Sequence, residues 1–330
     1  NDATILGDCL SRFADQLRPL DDNDIFMADR GFRDAKSLIE AFGFKTQFVQ
    51  GVGPSQVNTS MANHNRYITK IRWVVESTFG RLKKKFRFLA LPAHNGALQH
   101  DFEMVQIGFS LLNMFFEPIL SDLCHLPEVI QTMKSRLHVP NKLQNVVEHY
   151  RLKTRRVIFN EVEIDELSDD RLVPLDRDNA ARMAFPALSQ EDLYMIGCGP
   201  YQLSNARGYY ADHISDDGIF HVLRFDPPAR AQLYIDYSLF DIDVRKPVLI
   251  KSKLDSRWRS NQDWYQFVLV DSTKTGREAI VEYYCNCESG ARTVGCCSHV
   301  MCIIWYLGYA HSRPISIPNP GILSISHKIR

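Results

Sequence analysis

Four residues that can bind a metal ion lie close together near the end of the 330-residue chain. Cys285 and Cys287 form a Cys-x-Cys pair, and Cys297 and His299 form a Cys-x-His pair after a gap of nine residues. Cysteine thiolates and imidazole nitrogens are the ligands of structural zinc ions, which take four of them in a tetrahedral arrangement. The spacing therefore predicts one closed zinc site.

Ordinary buried cysteines are the alternative interpretation, because cysteine is among the most buried residue types. Against it, five of the eight cysteines fall within eighteen positions, beside a histidine. Cys296 leaves a second assignment open, since Cys296-x-x-His299 is also a usable ligand spacing. We favour Cys297 and keep Cys296 as the alternative. Clustered cysteines with metal spacing also fit a reducing compartment better than a disulfide framework.

The segments around the four ligands predict how the chain delivers them. Residues 265–270 and 279–284 are rich in aromatic and β-branched residues and flank a turn-forming stretch at 271–276, which predicts a β-hairpin before the first pair. After His299, apolar residues recur at helical spacing as far as Gly308. The second pair should therefore lie at the first turn of a helix.

Two carboxylates near the other end of the chain are the second chemical candidate. Asp29 follows a short apolar run, 24–28, that predicts a buried strand, and Glu76 lies in a predicted amphipathic helix at 66–88. Carboxylates that converge from separate elements can hold divalent ions that activate water in nucleases. The alternative is ordinary turn chemistry at Asp29 and a surface ion pair at Glu76.

Charge is balanced overall, with 39 basic and 39 acidic residues, but it is unevenly distributed. Between Arg66 and Arg87 there are eight basic residues and one acid, whereas 161–170 holds six acids and no base. The basic stretch fits either a solvated helix face or a surface that contacts nucleic acid. The sequence has neither a long apolar run nor a signal-peptide pattern, so it gives no support for membrane insertion or secretion.

Other patterns predict the remaining elements. Strands are expected at 44–49, 218–225 and 248–254, helices at 141–151 and 190–196, and a buried helix at 105–117 that ends before Pro118. Residues 121–184 carry the weakest packing signal and are predicted to form a connector. Two domains are the expectation for a chain of this length.

Three motifs carry a family resemblance. Asn1-Asp-Ala3, Ala28-Asp-Arg-Gly-Phe32 and the segment from Arg72 to Lys83 resemble a DDE superfamily endonuclease of the PIF/Harbinger-like transposase group over roughly the first 120 residues. The resemblance implies a partial RNase H-like core with Asp29 and Glu76 as catalytic ligands of Mg²⁺ or Mn²⁺. The family's first catalytic aspartate belongs before Asp2, upstream of this chain, so whether the chain is itself an enzyme stays open.

The same resemblance implies DNA as the partner and the nucleus as the location. Arg72 and the run Lys83, Lys84 and Lys85 are then expected to contact DNA phosphates. The alternative is a non-enzymatic protein that uses the DDE remnant as a scaffold for binding DNA or another protein.

The cysteine array resembles a SWIM-type zinc finger, a module of two strands and a helix with Zn²⁺ as its cofactor. The segments from Pro200 to Tyr209, 248–253 and 290–297 are similar to the tails of transposon-encoded proteins that carry such a finger. We therefore predict an α/β plus α+β protein with a DDE core at 1–120, a helical connector at 121–184 and a C-terminal domain at 185–330. The ββα zinc module should occupy about 264–310 and contact DNA or a protein partner.

Overall fold

The computed structural model describes residues 2–13, 19, 21, 23–51, 55–92, 98–117, 125–155, 159–162, 185–213, 222–225, 234–256 and 262–310. These residues form nine α-helices and two β-sheets. No described helix has the length and the apolar character that crossing a membrane requires. The chain divides into two compact units, one of Asn1–Gly51 with His64–His125 and one of Val52–Asn63 with Leu126–Arg330.

The first unit contains a small parallel sheet. Strand β1 (Ile25–Ala28) pairs in parallel with β2 (Lys45–Phe48), with Ala28 opposite Phe48. Helix α1 (Asp2–Arg12) and helix α2 (Lys36–Ala41) lie beside the sheet, and the buried residues shared by these elements are Leu10, Ala28, Ala35, Ile39 and Phe48. Both strands confirm the sequence prediction, because each short apolar run is bounded by turn residues.

Two long helices complete the description of this unit. Helix α3 spans Thr59–Lys85 and begins before the predicted start, and helix α4 spans Leu98–Phe115. They approach closely at Gly108, where an added Cβ would lie 2.8 Å from a methyl carbon of Leu82. The prediction of a buried helix at 105–117 is wrong, since large apolar side chains within that range are exposed: Ile107, Met114 and Phe115. Apolar content alone does not show whether a neighbour covers a helix face.

The second unit is built on an antiparallel sheet of five strands in the order β3-β4-β5-β6-β7. Their ranges are Phe159–Val162, Val222–Phe225, Pro247–Asp255, Asp263–Asp271 and Ile280–Cys285. Strands β6 and β7 form the predicted hairpin. Side chains of β6 alternate between two cores, which explains its uninterrupted apolar run.

Helices cover both faces of this sheet. On one face, Phe267 and Leu269 of β6 pack with helix α6 (Lys142–His149). Helix α5 (Leu126–Arg136) precedes α6 in the sequence. On the other face, Val268 and Val270 pack with helices α7 (Gln190–Gly197), α8 (Pro200–His213) and α9 (Ser298–Trp305), the last continuing as a π-helical turn, Tyr306–Ala310. The prediction of weak packing is wrong for α6, whose apolar side is fully buried. Most of the acidic stretch 161–170 lies outside the described residues.

This mixed helix-and-sheet architecture is compatible with the predicted α/β class. The hairpin β6–β7 ends at the first cysteine pair, and helix α9 begins at the second pair of metal-binding residues.

Candidate metal centre and acidic site

Strand β7 and helix α9 present the four predicted zinc ligands. Cys285 is the last residue of β7, and Cys287 follows in the turn that leaves the strand. Cys297 is the N-cap of α9, where its sulfur accepts a hydrogen bond from the backbone N–H of Val300 at 3.5 Å. His299 lies in the first helical turn. The hairpin and the helix start thus bring together residues from two separate sequence pairs.

The four ligand atoms lie within 4.8 Å of one another, and all four residues are buried. Sγ of Cys285 is 3.9 Å from Nδ1 of His299. Four ligands at zinc–sulfur and zinc–nitrogen distances of about 2.0–2.3 Å would be separated by roughly this much, so the cluster can surround one ion. Cys296 is buried but is not one of the clustered residues.

The electrostatics of the cluster favour a cation. Burial raises the pKa of the Cys285 thiol well above its ordinary value. Burial acts in the same direction on Cys297, but hydrogen bonds with Cys285, Cys287 and His299 hold the pKa of Cys297 well below its ordinary value. Burial thus disfavours negatively charged sulfurs at this site, and a bound cation would stabilise the thiolates.

Polar hydrogens around the cluster point at its sulfurs. The side-chain amide of Gln266 lies 3.8 Å from Cys285 Sγ, and the backbone N–H of Cys287 lies 3.4 Å from the same atom. On the far side of the imidazole, Nε2 of His299 is buried and has no hydrogen-bond partner in the described part of the chain. The ring of Tyr209 stands edge-on to His299, with centroids 4.6 Å apart.

Arg292 places a positive charge beside the cluster. It lines a cavity of about 230 Å³ together with Cys287, Cys297 and His299, and it is only 8% exposed. Its guanidinium donates to the carbonyl of Cys296. A divalent ion with three thiolates and one neutral imidazole carries a net negative charge, which a buried guanidinium would balance.

Two residues more than two hundred positions earlier in the sequence form hydrogen bonds with the loop that joins the two predicted ligand pairs, which we call the metal-binding loop. The side-chain N–H₂ of Gln56 donates to the carbonyls of Cys285, at 2.6 Å, and Cys287, at 2.9 Å. Asn63 is fully buried and exchanges hydrogen bonds with Thr293, inside the gap between the two ligand pairs. Sequence reasoning missed both residues, because a single glutamine or asparagine carries no spacing signal.

The two predicted catalytic acids are brought together by an arginine. Nη2 of Arg72 lies 3.3 Å from Oδ2 of Asp29 and 3.6 Å from Oε1 of Glu76. The two carboxylate oxygens are therefore no farther apart than the sum of these distances. Both carboxylates are more than half exposed, whereas Arg72 is 20% exposed. Exposed oxygens that converge in this way suit a hydrated, hard divalent cation such as Mg²⁺.

A local packing feature links two of the motifs at this site. The carboxylate of Asp2 lies so close to Gly31 that an added Cβ would be 2.7 Å from its Oδ2. Asp29 lies just before this glycine, at the end of β1. Because Gly31 has no side chain, the carboxylate of Asp2 on helix α1 can approach the turn that follows Asp29.

The predicted DNA-binding lysines Lys83, Lys84 and Lys85 form the last turn of α3 and are exposed. Lys85 Nζ lies 4.8 Å from the centre of the Phe116 ring. Cations at a helix C-terminus also interact favourably with the helix dipole, so the run has a structural explanation beside the functional one. Arg72, also predicted to contact phosphate, contacts the two acids Asp29 and Glu76 in this structure.

Comparison with protein families finds a match to the first part of the chain. Residues 3–113 match the family model for DDE superfamily endonucleases. Neither the curated proteins nor the solved structures contain a match to the chain. The family match indicates a transposase-derived nuclease domain, and members of that superfamily use divalent metals and act on DNA. The clustered cysteines and histidine lie outside the matched residues.

Proposed function

We propose that this chain is part of a PIF/Harbinger-like, transposase-derived nuclear protein with a metal-dependent DNA-cleaving core and a SWIM-type zinc finger. The observation that carries the proposal is the bridge from Arg72 to both Asp29 and Glu76. These acids come from a strand end and a long helix within the segment that matches the endonuclease family. Nothing in the local chain geometry requires such distant acids to meet.

Asp29 and Glu76 would hold Mg²⁺ or Mn²⁺ through carboxylate oxygens, together with a further acid supplied to the same site. The bound ions would polarise a phosphodiester and lower the pKa of the attacking water. The protein's own part is to hold the two carboxylates close together. Arg72 does this by offsetting the repulsion between them.

Binding of Mn²⁺ to the chain tests this site, and the electron paramagnetic resonance signal of Mn²⁺ measures the binding. Asp29→Asn and Glu76→Gln should each weaken Mn²⁺ binding at least tenfold. Asp34→Asn is the matched control. Asp34 is an exposed acid in the 3₁₀ helix that follows strand β1, and it forms an ion pair with Arg33. Mn²⁺ binding that is unchanged in both site variants would exclude the acidic site. DNA cleavage by a polypeptide extended at its N-terminus would then test turnover.

A second candidate function is non-enzymatic binding of DNA or a protein, with the DDE segment as a scaffold. The exposed basic turn Lys83, Lys84 and Lys85 favours it, since it offers three adjacent cations to a phosphate backbone. Replacing all three lysines with Gln should weaken DNA binding and reduce its salt dependence by about one unit of slope for each phosphate that is no longer neutralised. An unchanged salt dependence would remove the basic turn from the DNA interface.

Zinc at Cys285, Cys287, Cys297 and His299 completes the proposal. The closed, buried donor set with three thiolates suits structural Zn²⁺ better than a hard ion that prefers oxygen. In such a site the ion's contribution is folding energy. Nuclear location follows from a DNA-directed function and is part of the proposal.

A further inference from the structure

The loop between the two ligand pairs is also the docking surface for a segment that lies more than two hundred residues earlier in the chain. Val57 donates its backbone N–H to the carbonyl of Glu288 at 3.0 Å, directly after Cys287. Gln56, next to Val57, reaches the carbonyls of Cys285 and Cys287. Three hydrogen bonds therefore join residues 56–57 to the turn that carries the first ligand pair.

Gln56 is fixed from both ends of its amide. Its Nε2 donates the two hydrogen bonds to the ligand carbonyls, while its Oε1 accepts from the hydroxyl of Tyr284 at 2.9 Å. Both polar atoms of the side chain thus bind β7 or the turn after it. Removal of groups that orient metal-binding side chains in this way commonly lowers metal affinity about 10- to 100-fold.

Asn63 makes the second connection, in the middle of the gap between the ligand pairs. Its Oδ1 accepts from the backbone N–H groups of Thr293, at 2.8 Å, and Val294, at 3.0 Å. Its Nδ2 donates to the hydroxyl of Thr293 at 2.9 Å and to the carbonyls of Arg136 and Leu137 at the end of α5. The side chain is fully buried, so none of these groups would find water if it were removed.

We propose that Gln56 and Asn63 are positioning residues of the metal site, and that metal binding and the docking of residues 56–63 are one coupled event. This inference rests on the proposed zinc site. The zinc-binding residues are consequently not an appended module. Residues 56–63 lie inside the segment that matches the endonuclease family, and Thr59 begins the same helix, α3, that carries Arg72 and Glu76.

Coupling is reciprocal, because any free energy that docking adds to metal binding is the free energy that metal binding adds to docking. Each ligand pair is attached to the loop that Gln56 and Asn63 hold, so removal of the ion frees the loop and removal of either amide loosens the ligands. Metal binding would therefore determine whether residues 56–63, including the first turn of α3, are held against the loop.

The first test measures zinc affinity by competition with a chromophoric chelator. Gln56→Met and Asn63→Leu preserve volume and remove the hydrogen bonds without adding charge. Each should weaken zinc binding about tenfold or more. Matched controls are Gln144→Met, which removes an exposed contact to Glu148, and Asn65→Leu, two residues further along α3, whose side chain binds Gln50. Affinities of Gln56→Met and Asn63→Leu equal to those of the controls would overturn the inference.

The second test uses the unmodified chain and avoids variants that fail to fold. Amide hydrogen exchange should show that peptides covering 56–63 become less protected when zinc is removed, together with peptides covering 285–299. If 285–299 responds to zinc and 56–63 does not, the two are not coupled. A chain that binds no stoichiometric zinc would instead contradict the proposed zinc function itself, so the two failures are distinguishable.

Discussion

The guanidinium of Arg72 lies 3.3 Å from the carboxylate of Asp29, at the end of strand β1, and it also contacts Glu76 one turn further along its own helix. An arginine between two acids occupies the position in which a divalent cation would be most strongly attracted. Arg72 therefore holds the two acids together, and an ion bound by the same acids would compete with it.

Replacing Arg72 tests this competition. We expect Arg72→Gln to tighten Mn²⁺ binding at least threefold, because the ion no longer displaces a positive charge from the two acids. Arg81→Gln is the control, since Arg81 lies on the same helix but contacts the carbonyl of Glu117. Titration calorimetry at constant ionic strength would measure the change. Weaker Mn²⁺ binding by Arg72→Gln would mean that Arg72 organises the acids without competing for them.

A pair of neighbouring cysteines tests the zinc ligand set. Cys297→Ser should abolish stoichiometric zinc, because Cys297 supplies one of the four clustered ligand atoms. Cys296→Ser should retain it, because the backbone carbonyl of Cys296, which accepts from Arg292, is unchanged by the substitution. Metal analysis of the dialysed proteins gives the zinc content. The opposite result would assign the ligand role to Cys296.

Removing the buried charge beside the cluster should also weaken zinc binding. We expect Arg292→Gln to bind zinc at least tenfold more weakly, because the negative charge of the occupied cluster would then be buried without its counter-charge. Arg292→Lys should retain part of the affinity, and the exposed Arg277→Gln serves as the neutralisation control. Chelator competition measures all three. Equal affinities for Arg277→Gln and Arg292→Gln would contradict the charge argument.

A partly buried acid on strand β7 predicts a pH dependence of stability. Burial raises the pKa of Glu282 to about 7 from its ordinary 4.5, although Arg136 and Lys142 oppose the shift. Because the folded-state pKa is raised, this group's contribution to stability is complete below about pH 4.5 and is lost as pH rises through about 7.

We therefore expect Glu282→Gln to increase the free energy of unfolding by about 1 kcal/mol at about pH 8, and to give little difference near pH 5. Denaturant titration of zinc-saturated protein at both pH values provides the measurement. Glu278→Gln, at an exposed position before the same strand, should change neither value. A gain for Glu282→Gln that does not depend on pH would point to a cause other than ionisation.

Local patterns were sufficient for several elements. Two stretches rich in aromatic and β-branched residues, with turn residues between them, predicted the β6–β7 hairpin, and short apolar runs predicted β1 and β2. The ligand residues Cys285 and His299 were recognisable because metal chemistry requires particular side chains at short spacings, which the sequence displays directly. The motifs around Asp29 and Glu76 likewise carried their family resemblance without any three-dimensional information.

Other features depend on which surfaces meet, and no local pattern encodes that. Apolar content predicted a buried helix at 105–117, yet exposed side chains such as Phe115 show that burial is decided by neighbours. The contact between Arg72 and Asp29 depends on the fold for the same reason, since the two residues are distant in sequence.

The sequence by itself determined the chemistry of this protein: three thiols and an imidazole for a soft metal, and carboxylates for a hard one. The tertiary structure alone decided that Gln56 and Asn63 hold the metal-binding loop. Ligand chemistry is a property of residue types and close spacing, whereas a hydrogen bond between segments more than two hundred residues apart exists only once the chain has folded.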